Sequence, residues 1–403
     1  SFSHSVRDGA PLSLSLLLSL PCPAPAPAPA AARIPTRLAD GAGGDKPRPY
    51  GGSRGPCRLS QMDGFTQRLL EVVDRFATAR VVLYGDLVLD RFVLGTPKRI
   101  SREAPVIILR FEGQRDVPGG GGNALANLGA LGVDVVPVGA VGDDEPGEAL
   151  LAALAERGIE TSTVLRVPGY HTPTKVRVLG GGGSSLKHQM ARYDIEDVLP
   201  DGAFRDEFVG RLESAARGAA AVAVSDYGYG AVSGDAIGRL AAVDHRWVCL
   251  DSRYRIGSFA GVDGATPNLQ ELEASAGRPL RRDVDVVAAA EELRRRLGAR
   301  FILATRGNRG MTLVVDGDAA TQIPVFGTDE VADVTGAGDT VLAVLTAALA
   351  AGATPLEAAH LANYAGGLVV MKLGTATVTA DEIRSALHRE SGRGRGDVHS
   401  EGP

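Results

Sequence analysis

Residues 333–340 read DVTGAGDT, and the alanine-rich apolar run that follows them predicts a helix. A helix N-terminus has unpaired N–H donors and a positive dipole end, so it attracts phosphate and developing negative charge. Gly336 and Gly338 would let the main chain approach such an anion closely. Asp339 would then accept a proton from a hydroxyl nucleophile, or it would simply cap the helix. This stretch alone leaves both interpretations open, and we expect Asp333 to shape the turn.

Short apolar runs alternate with helical patterns before this stretch. The runs end in polar or glycine residues, as in RVVLYGD at 80–86 and RFILATRG at 300–307, and helical patterns such as 145–158 and 284–298 separate them. This alternation predicts an α/β fold with a doubly wound, mostly parallel sheet flanked by helices. Ligands of such sheets bind beyond the carboxyl ends of the strands. The polar residues predicted at those ends are Asp86, Asp226, Asp251 and Thr305.

Two segments interrupt the alternation, at about 91–118 and 172–196. Both have the pattern of β-strands and hairpins, with no crossover helix between them. They predict a small β-sheet lid within a domain that spans residues 62–390. The proline-rich residues 1–61 precede the first methionine and are expected to be a disordered extension or upstream translation. The tail at 391–403 is also expected to be disordered.

Composition and charge limit the possible partners. The chain has 403 residues, of which 44% are hydrophobic and 23% are charged, as in ordinary globular proteins. The net charge is −5 and no long block of like charge occurs, so neither a nucleic acid nor a membrane is expected as a partner. The apolar run near residue 15 is too short to span a bilayer. Cys249 is the lone cysteine after residue 61, which excludes a disulfide framework there and fits a cytoplasmic protein.

Three further motifs could carry chemistry. PGGGGNALANLGALG at 118–132 is a glycine-rich turn that opens a helix, with Asn123 able to bind hydroxyls. ATPNLQELEA at 265–274 places an Asn and a Glu three residues apart, which suits either a hydrated Mg²⁺ near phosphates or an ordinary helix N-terminus. TRGNRGM at 305–311 suits nucleotide phosphates or a bare hairpin. The sequence contains no GxxxxGK[ST] phosphate-binding loop.

The order of GD, GGGGN, TPN, TRGNRG and DVTGAGD resembles the ribokinase-like PfkB family of carbohydrate kinases over about residues 78–388. Within that family, residues 85–106 and 191–197 are similar to the D-glycero-β-D-manno-heptose-7-phosphate kinases of ADP-heptose synthesis. Two departures are Tyr229, where that subgroup usually has Lys, and DSRYR at 251–255, where it usually has Asp-Pro-Lys. The resemblance implies a doubly wound α/β domain whose β-sheet lid often forms a homodimer.

The resemblance also implies an ATP-dependent sugar kinase that converts the heptose 7-phosphate to the 1,7-bisphosphate at its anomeric hydroxyl. Asp339 would take the hydroxyl proton, and the N–H groups of Thr335, Gly336, Ala337 and Gly338 would stabilise the transferred phosphoryl group. The expected sugar-binding residues are Asp86, Asp90, Gly119, Gly120, Asn123, Lys175 and Arg192. The expected ATP-binding residues are Asn268, Thr305, Gly307, Gly310, Thr335, Asn363 and Gly374. Asn268 and Glu271 are expected to hold Mg²⁺ through water.

Two alternatives remain open from the sequence. One is a PfkB kinase for another sugar or nucleoside, such as ribose, fructose or adenosine. The other is a non-catalytic nucleotide- or sugar-binding regulator, which would have no need of Asp339 beside a glycine turn. The expected partners are a small-molecule sugar phosphate and a second copy of the chain. Any adenylylation of the product is expected to need a separate protein.

Overall fold

The computed structural model describes residues 57–182, 187–200, 204–240, 243, 247–327 and 332–396, with side chains described from residue 64 to residue 391 of these ranges. Most of the N-terminal extension expected at 1–61 therefore lies outside the described residues, and the first helix begins at Cys57. The last helix continues to Gly396, beyond the domain end expected at residue 390. The rest of the expected tail, residues 397–403, also lies outside the described part.

Fourteen strands and ten α-helices occur in the described ranges. The strands are β1 (Arg80–Gly85), β2 (Leu87–Ile100), β3 (Ile107–Gly120), β4 (Asp134–Val138), β5 (Ala140–Gly142), β6 (Leu165–Val167), β7 (Thr174–Gly180), β8 (His188–Ile195), β9 (Ala221–Asp226), β10 (Trp247–Ser252), β11 (Gly264–Ala265), β12 (Phe301–Thr305), β13 (Met311–Val315) and β14 (Thr321–Ile323). The helices are α1 (Cys57–Asp74), α2 (Gly121–Ala130), α3 (Glu145–Ala155), α4 (Arg205–Ala216), α5 (Gly234–Leu240), α6 (Leu269–Ala276), α7 (Asp283–Leu297), α8 (Ala337–Ala350), α9 (Pro355–Val369) and α10 (Ala380–Gly396).

Eight strands form the central sheet in the order β14-β13-β12-β11-β10-β9-β1-β4. The six strands from β12 to β4 are parallel to one another, and β13 and β14 run antiparallel at one edge. Strands such as β9, with the sequence AVAVSD, are buried on both faces, which is why they read as continuous apolar runs. The predicted α/β fold with a mostly parallel sheet is confirmed.

Apolar side chains form a separate cluster on each face of this sheet. Along β1, Val81 and Leu83 belong to one cluster, whereas Val82 and Tyr84 belong to the other, because successive side chains of a strand point to opposite faces. The first cluster includes α8, whose residues from Asp339 to Leu349 are all buried. Its many alanines let this helix pack closely on β9 and β10. The start of α8 is thereby fixed at the carboxyl edge of the sheet.

A second, smaller sheet has the strand order β3-β2-β7-β8, and we call it the lid. Strands β2 and β3 are antiparallel over 14 residues each, β2 and β7 are parallel, and β7 and β8 are antiparallel. Strand β2 follows β1 after Asp86 alone, and β3 leads directly into α2 at Gly121. The lid and the central sheet therefore meet beside the N-terminus of α2. Within the described ranges, no helix is both long enough and apolar enough to cross a membrane.

Candidate active site

Asp339 lies in the first turn of α8 and is 3% exposed. The turn before it depends on Gly336, which caps the helix with a φ of 78°, in the left-handed region that favours glycine. A Cβ atom at this position would also overlap Nδ2 of Asn123. The glycine therefore allows a tight turn and a close approach of α2 to α8. Both place the Asp339 carboxylate in the region bordered by Asn123, Tyr227 and the lid residue Lys175, which we call the cleft.

Two side chains from other elements hold the Asp339 carboxylate. The hydroxyl of Tyr227 donates to Oδ1 at 2.9 Å, and Nδ2 of Asn123 donates to Oδ2 at 3.0 Å. Burial raises the pKa of Asp339 to about 6, although these two hydrogen bonds and the charge of Lys175 oppose the rise, while Asp90 adds to it. A carboxylate with a pKa close to neutral pH is suited to accept a proton from a hydroxyl group.

Asp333 shapes the turn, as expected, and does not face the same space. Its Oδ1 accepts from the N–H of Thr335 at 2.9 Å, and its Oδ2 accepts from the N–H of Gly374 at 3.1 Å. The N–H of Ala337 donates to the carbonyl of Val334 at 3.3 Å. This corrects the expected anion site, because the N–H groups of Thr335 and Ala337 already have acceptors. Within the described ranges, the donors left at the turn are those of Gly336, Gly338 and Asp339 itself.

The lid supplies positive charge to the same cleft. Nζ of Lys175 lies 4.7 Å from the ring centroid of Tyr227. Burial lowers the pKa of Lys175, while the nearby carboxylates of Asp90 and Asp339 oppose this change. Arg177, two residues further along β7, donates to Oδ1 of Asp90 at 2.6 Å. Arg177 was not among the predicted site residues, although the two-residue period of a strand puts it on the same face as Lys175.

Glycine residues let the Asp90 carboxylate enter the crowded end of the lid. A Cβ atom at Gly119 would lie 2.8 Å from Cγ of Asp90, and one at Gly120, with a φ of 53°, would lie 2.9 Å from Val88. Arg192 is less central, because its guanidinium forms a two-pronged bond with Asp194 on the same strand. It remains close enough to Lys175 to influence its charge.

Asp86 has a different task from the sugar binding that we expected. It is 2% exposed, and its carboxylate accepts from the main-chain N–H groups of Tyr227 at 2.8 Å, Tyr229 at 3.1 Å and Ala231 at 3.0 Å. Burial raises its pKa to about 6, the charge of Asp226 adds to the rise, and these three bonds oppose it. Asp86 therefore anchors the loop that follows β9, and this loop carries Tyr227 to Asp339.

Asn268 and Glu271 form a capping box at the start of α6, which is the simpler of the two interpretations left open by the sequence. Oδ1 of Asn268 accepts from the N–H of Glu271, and Oε2 of Glu271 accepts from the N–H of Asn268, both at 2.9 Å. Burial raises the pKa of Glu271. Burial also raises the pKa of Asp251, and Glu271 and Asp339 add to this effect. Asp251 was identified only as a strand-end residue, so its place between two other carboxylates was missed.

The remaining predicted ATP-binding residues lie in three places: at the β12–β13 connection, in α9 and beside Asp333. Thr305 forms an isolated parallel bridge with Asn268. Gly307 and Gly310, with φ values of 59° and 73°, form the tight connection between β12 and β13, as the bare-hairpin interpretation requires. Nδ2 of Asn363 donates to the carbonyl of Pro324 at 2.8 Å, so this amide stabilises a loop. Gly374 also has a positive φ, and its N–H is bonded to Asp333 as described above.

A buried carboxylate at a helix start, main-chain donors beside it and cations on a lid above it are the arrangement expected of a small-molecule kinase on a doubly wound sheet. The chain matches the model of the pfkB family of carbohydrate kinases over residues 78–198 and 250–382, and it belongs to this family. It is therefore a carbohydrate kinase, and membership implies ATP as the phosphoryl donor. The family resemblance drawn from the sequence motifs is confirmed.

Curated relatives of the chain include the bifunctional protein HldE of Mesorhizobium japonicum. It is 40% identical over 329 residues, which cover 80% of this chain and 65% of that protein. The bifunctional protein HldE of Nitrosococcus oceani is 41% identical over 319 residues, which cover 78% of this chain and 65% of that protein. The chain thus spans 65% of the length of these curated relatives, which is less than two thirds.

Solved structures agree on the fold. Phosphofructokinase-2 from Escherichia coli in complex with substrates and products has a TM-score of 0.63 and 20% identity, covering 77% of this chain and 99% of that one. Ribokinase from Arabidopsis thaliana complexed with ribose and ATP has a TM-score of 0.58 and 20% identity, covering 77% of this chain and 98% of that one. At this identity the likeness supports the ribokinase-like fold with its separate small sheet.

Proposed function

We propose that the chain transfers the γ-phosphoryl group of ATP to the anomeric hydroxyl of D-glycero-β-D-manno-heptose 7-phosphate. The observation that carries the proposal is the Asp339 carboxylate, buried in the first turn of α8 and held by two donors below a cationic lid. The choice of sugar rests on residues 85–106 and 191–197, which resemble the heptose kinases, and on 40% identity to HldE proteins.

Asp339 is the proposed base. The acceptor hydroxyl of the sugar gives its proton to the carboxylate as its oxygen attacks the γ-phosphorus. The bond between the γ-phosphorus and the oxygen that bridges it to the β-phosphate then breaks, and ADP leaves. The N–H groups of Gly336 and Gly338, at the positive end of α8, stabilise the charge on the transferred group. Removing a general base typically lowers turnover by roughly 10²–10⁴-fold. The position of Asp339 next to these donors is what makes the glycine turn a catalytic feature.

The proposed sugar site lies between the lid and the start of α2. Asp90, Asn123 and the main chain at Gly119 and Gly120 border it and bind hydroxyl groups. The 7-phosphate is bound by the lid cations Lys175, Arg177 and Arg192. Arg and Lys bind phosphate strongly, so a set of cations suits a phosphorylated sugar better than a neutral one.

The proposed ATP site lies along the edge formed by Asn268, Thr305 and the turn at Gly307 and Gly310. Asn268 and Glu271 would hold Mg²⁺ through water, since each side-chain oxygen retains a lone pair beyond the capping box. The donor set fits, because the half-buried Glu271 faces the negative charge of Asp251, which Arg253 offsets only in part, and a cation would relieve their repulsion. When bound, Mg²⁺ would neutralise charge on the ATP phosphates.

A metal site of this kind needs ligands from the nucleotide. No group of three or more His, Cys, Asp or Glu side chains in the described ranges could hold a metal ion. Mg²⁺ commonly keeps several waters and binds one or two carboxylates together with substrate phosphates. We therefore expect Mg²⁺ to bind with ATP. A Glu271→Gln variant should need more Mg²⁺ for half-maximal ATP binding.

We also propose that two copies of the chain pair through the lid in the cytoplasm. The lid strands expose large apolar side chains that would be covered in a dimer. They are Ile107 at 48%, Phe111 at 66%, Met190 at 41%, Tyr193 at 57% and Ile195 at 39% exposure. Light scattering of wild type and a Phe111→Glu, Tyr193→Glu variant tests the pairing.

The cytoplasmic location is supported by the ATP requirement and by the free thiol of Cys249.

The decisive test measures ADP release by the full chain with a panel of acceptors. Heptose 7-phosphate should give the highest kcat/KM, and the Asp339→Asn variant should lose turnover while retaining ATP binding. Higher kcat/KM with ribose, fructose or adenosine would overturn the proposed sugar. ADP release by no acceptor would favour a nucleotide- or sugar-binding regulator, and undiminished turnover by Asp339→Asn would contradict the base assignment.

A further inference from the structure

We propose that Tyr227 is a positioning residue for the base, because its hydroxyl holds the Asp339 carboxylate in the orientation that receives the proton. The inference rests on the proposed role of Asp339 and extends it to a residue that the sequence motifs did not identify. Tyr227 lies in the loop after β9, far from the glycine turn in sequence. Its side chain crosses the cleft, and its hydroxyl donates to Oδ1 of Asp339 at 2.9 Å.

The structure fixes Tyr227 at both ends. Its main-chain N–H donates to Oδ2 of the buried Asp86 at 2.8 Å, and the same carboxylate also binds the next part of the loop. On one side of its ring lies Nζ of Lys175, at 4.7 Å from the centroid. The phenol hydroxyl therefore reaches Asp339 from a fixed position, and the ring also carries a contact with the lid.

Tyr227 and Asn123 together restrain the base. Tyr227 bonds Oδ1 and Asn123 bonds Oδ2, so the plane of the carboxylate cannot rotate without breaking a hydrogen bond. The side chain of Asn123 is itself held by Nδ2 of Asn127, which donates to Oδ1 of Asn123 at 3.3 Å and to its main-chain carbonyl at 2.9 Å. Each carboxylate oxygen retains a second lone pair, so a sugar hydroxyl can still donate to Asp339 while both restraints are present.

The charges around Asp339 make the Tyr227 hydrogen bond important for its protonation. Lys175 on β7 favours the ionised carboxylate, whereas Asp90 on β2 and Asp251 on β10 oppose it. Burial raises the pKa of Asp339 to about 6, and the bonds from Asn123 and Tyr227 limit that rise. The pKa of Tyr227 is raised well above its ordinary value by burial and by Asp339, so the phenol stays a neutral donor at all working pH values.

The test is the pH profile of single-turnover phosphoryl transfer by the Tyr227→Phe variant, since single turnover excludes product release. The substitution removes one hydroxyl and keeps the ring below Lys175. The acid limb is the part of this profile in which the rate falls as the pH is lowered and Asp339 becomes protonated. Loss of the hydrogen bond should raise the pKa of this limb by about one unit. The rate deficit relative to wild type should then be about fivefold larger at pH 6 than at pH 8.5. ATP binding should be unchanged.

A matched control is Tyr229→Phe, because the hydroxyl of Tyr229 donates to Oε1 of Glu196 at 3.0 Å and not to Asp339. This variant should keep the acid limb of wild type. Replacement of Tyr227 by 3,5-difluorotyrosine keeps the packing and makes the phenol a stronger donor, so the acid limb should move to lower pH. This second variant keeps the test valid if Tyr227→Phe folds poorly.

The outcomes separate this inference from the proposed function. If Asp339→Asn is inactive but the acid limb stays in place in both Tyr227 variants, the positioning role is overturned and the base assignment stands. If Asp339→Asn retains full turnover, the proposed base is wrong and the inference falls with it. An equal deficit at every pH in Tyr227→Phe, with no shift in the difluorotyrosine protein, would show a purely structural role.

Discussion

Asn123 and Asp339 join two helices at the centre of the cleft, since Nδ2 of Asn123 on α2 donates to Oδ2 of Asp339 on α8 at 3.0 Å. Asn123 also donates to the carbonyl of Gly336 at 3.3 Å. The glycine turn and the GGGGN turn thus form one unit, although more than two hundred residues separate them in sequence. A change in either turn should therefore disturb the base.

The first prediction concerns the stability of Asp339→Asn at different pH values. Burial raises the folded-state pKa of Asp339 from 3.8 to about 6, so the folded protein binds more protons than the unfolded chain between these values. Asp339 therefore destabilises the fold increasingly as pH rises from about 4 to 6, and the full cost persists above pH 6. The Tm of Asp339→Asn minus that of wild type should increase between pH 4.5 and pH 8. The corresponding increase in the difference between their free energies of unfolding is about 1–3 kcal/mol. Thermal unfolding that gives a pH-independent difference would contradict the raised pKa.

The second prediction concerns Asp86→Asn. An amide has one acceptor oxygen and its NH₂ group would face main-chain donors, so at least one of the three N–H groups now bound by Asp86 loses its acceptor. Stability should fall by about 2–4 kcal/mol, since buried donors are left unsatisfied. Urea unfolding measures this, with the exposed Asp318→Asn as control. Equal stability of the two variants would show that Asp86 does not anchor the loop.

Much of the central fold was predictable from local sequence, because buried parallel strands are short apolar runs and helices have their own period. The capping box at Asn268 and Glu271 was also visible, as an N-x-x-E pattern at a helix start. Arg177 could have been placed beside Lys175 by the period of two in a strand. In these cases the residues that form the strand, helix or capping box are close in sequence, so a local pattern is enough to predict that feature.

The partners of the buried carboxylates could not be predicted in the same way. Tyr227 and Asp339 are 112 positions apart, and Asp86 binds main-chain groups that carry no side-chain signal. Asp86 follows an apolar strand, as a ligand-binding Asp would, and only the loop packed against it shows that both of its oxygens accept main-chain hydrogen bonds. Residue type and position thus predicted that acidic residues lie at the carboxyl ends of strands, but not which of these groups are available to a substrate.

The third prediction separates the two roles of Gly336. Gly336→Ala should lower both stability and turnover, because it places a Cβ in the left-handed region and against Nδ2 of Asn123. Gly158→Ala is the matched control, since Gly158 has a φ of 75° and a Cβ atom at this position would have no other atom within 4 Å. Gly158→Ala should cost about 1–2 kcal/mol without loss of kcat. Gly336→Ala should cost more and lower kcat by at least roughly 10²-fold, as expected when a charge-stabilising turn is displaced.

The comparison uses the free energy of unfolding and the single-turnover rate of each of the two glycine variants. The backbone penalty is common to both, so the difference between them reports the clash with Asn123 and the displaced turn. Equal losses of stability, with kcat intact in both variants, would contradict the proposed coupling between the glycine turn and the base.

The fourth prediction concerns the lid cation Lys175. Its Nζ lies in the cleft over Tyr227, and burial already lowers its pKa, so the site has a desolvated cation that an anionic substrate group would stabilise. Lys175→Met keeps much of the side-chain volume and removes the charge. Because a hydrogen bond to a charged group contributes about 1.5–3 kcal/mol, kcat/KM for the sugar phosphate should fall by roughly 10- to 100-fold.

The specificity of that effect tests the assignment of Lys175. The same variant should lose much less activity toward an unphosphorylated sugar, and its KM for ATP should not change, because the charge acts on the sugar phosphate. Lys98→Met, which removes an exposed charge from strand β2 of the same lid, controls for the change in net charge. If both acceptors lose activity equally in Lys175→Met, the lysine acts on the base, whose ionised form its charge favours, and does not bind the phosphate.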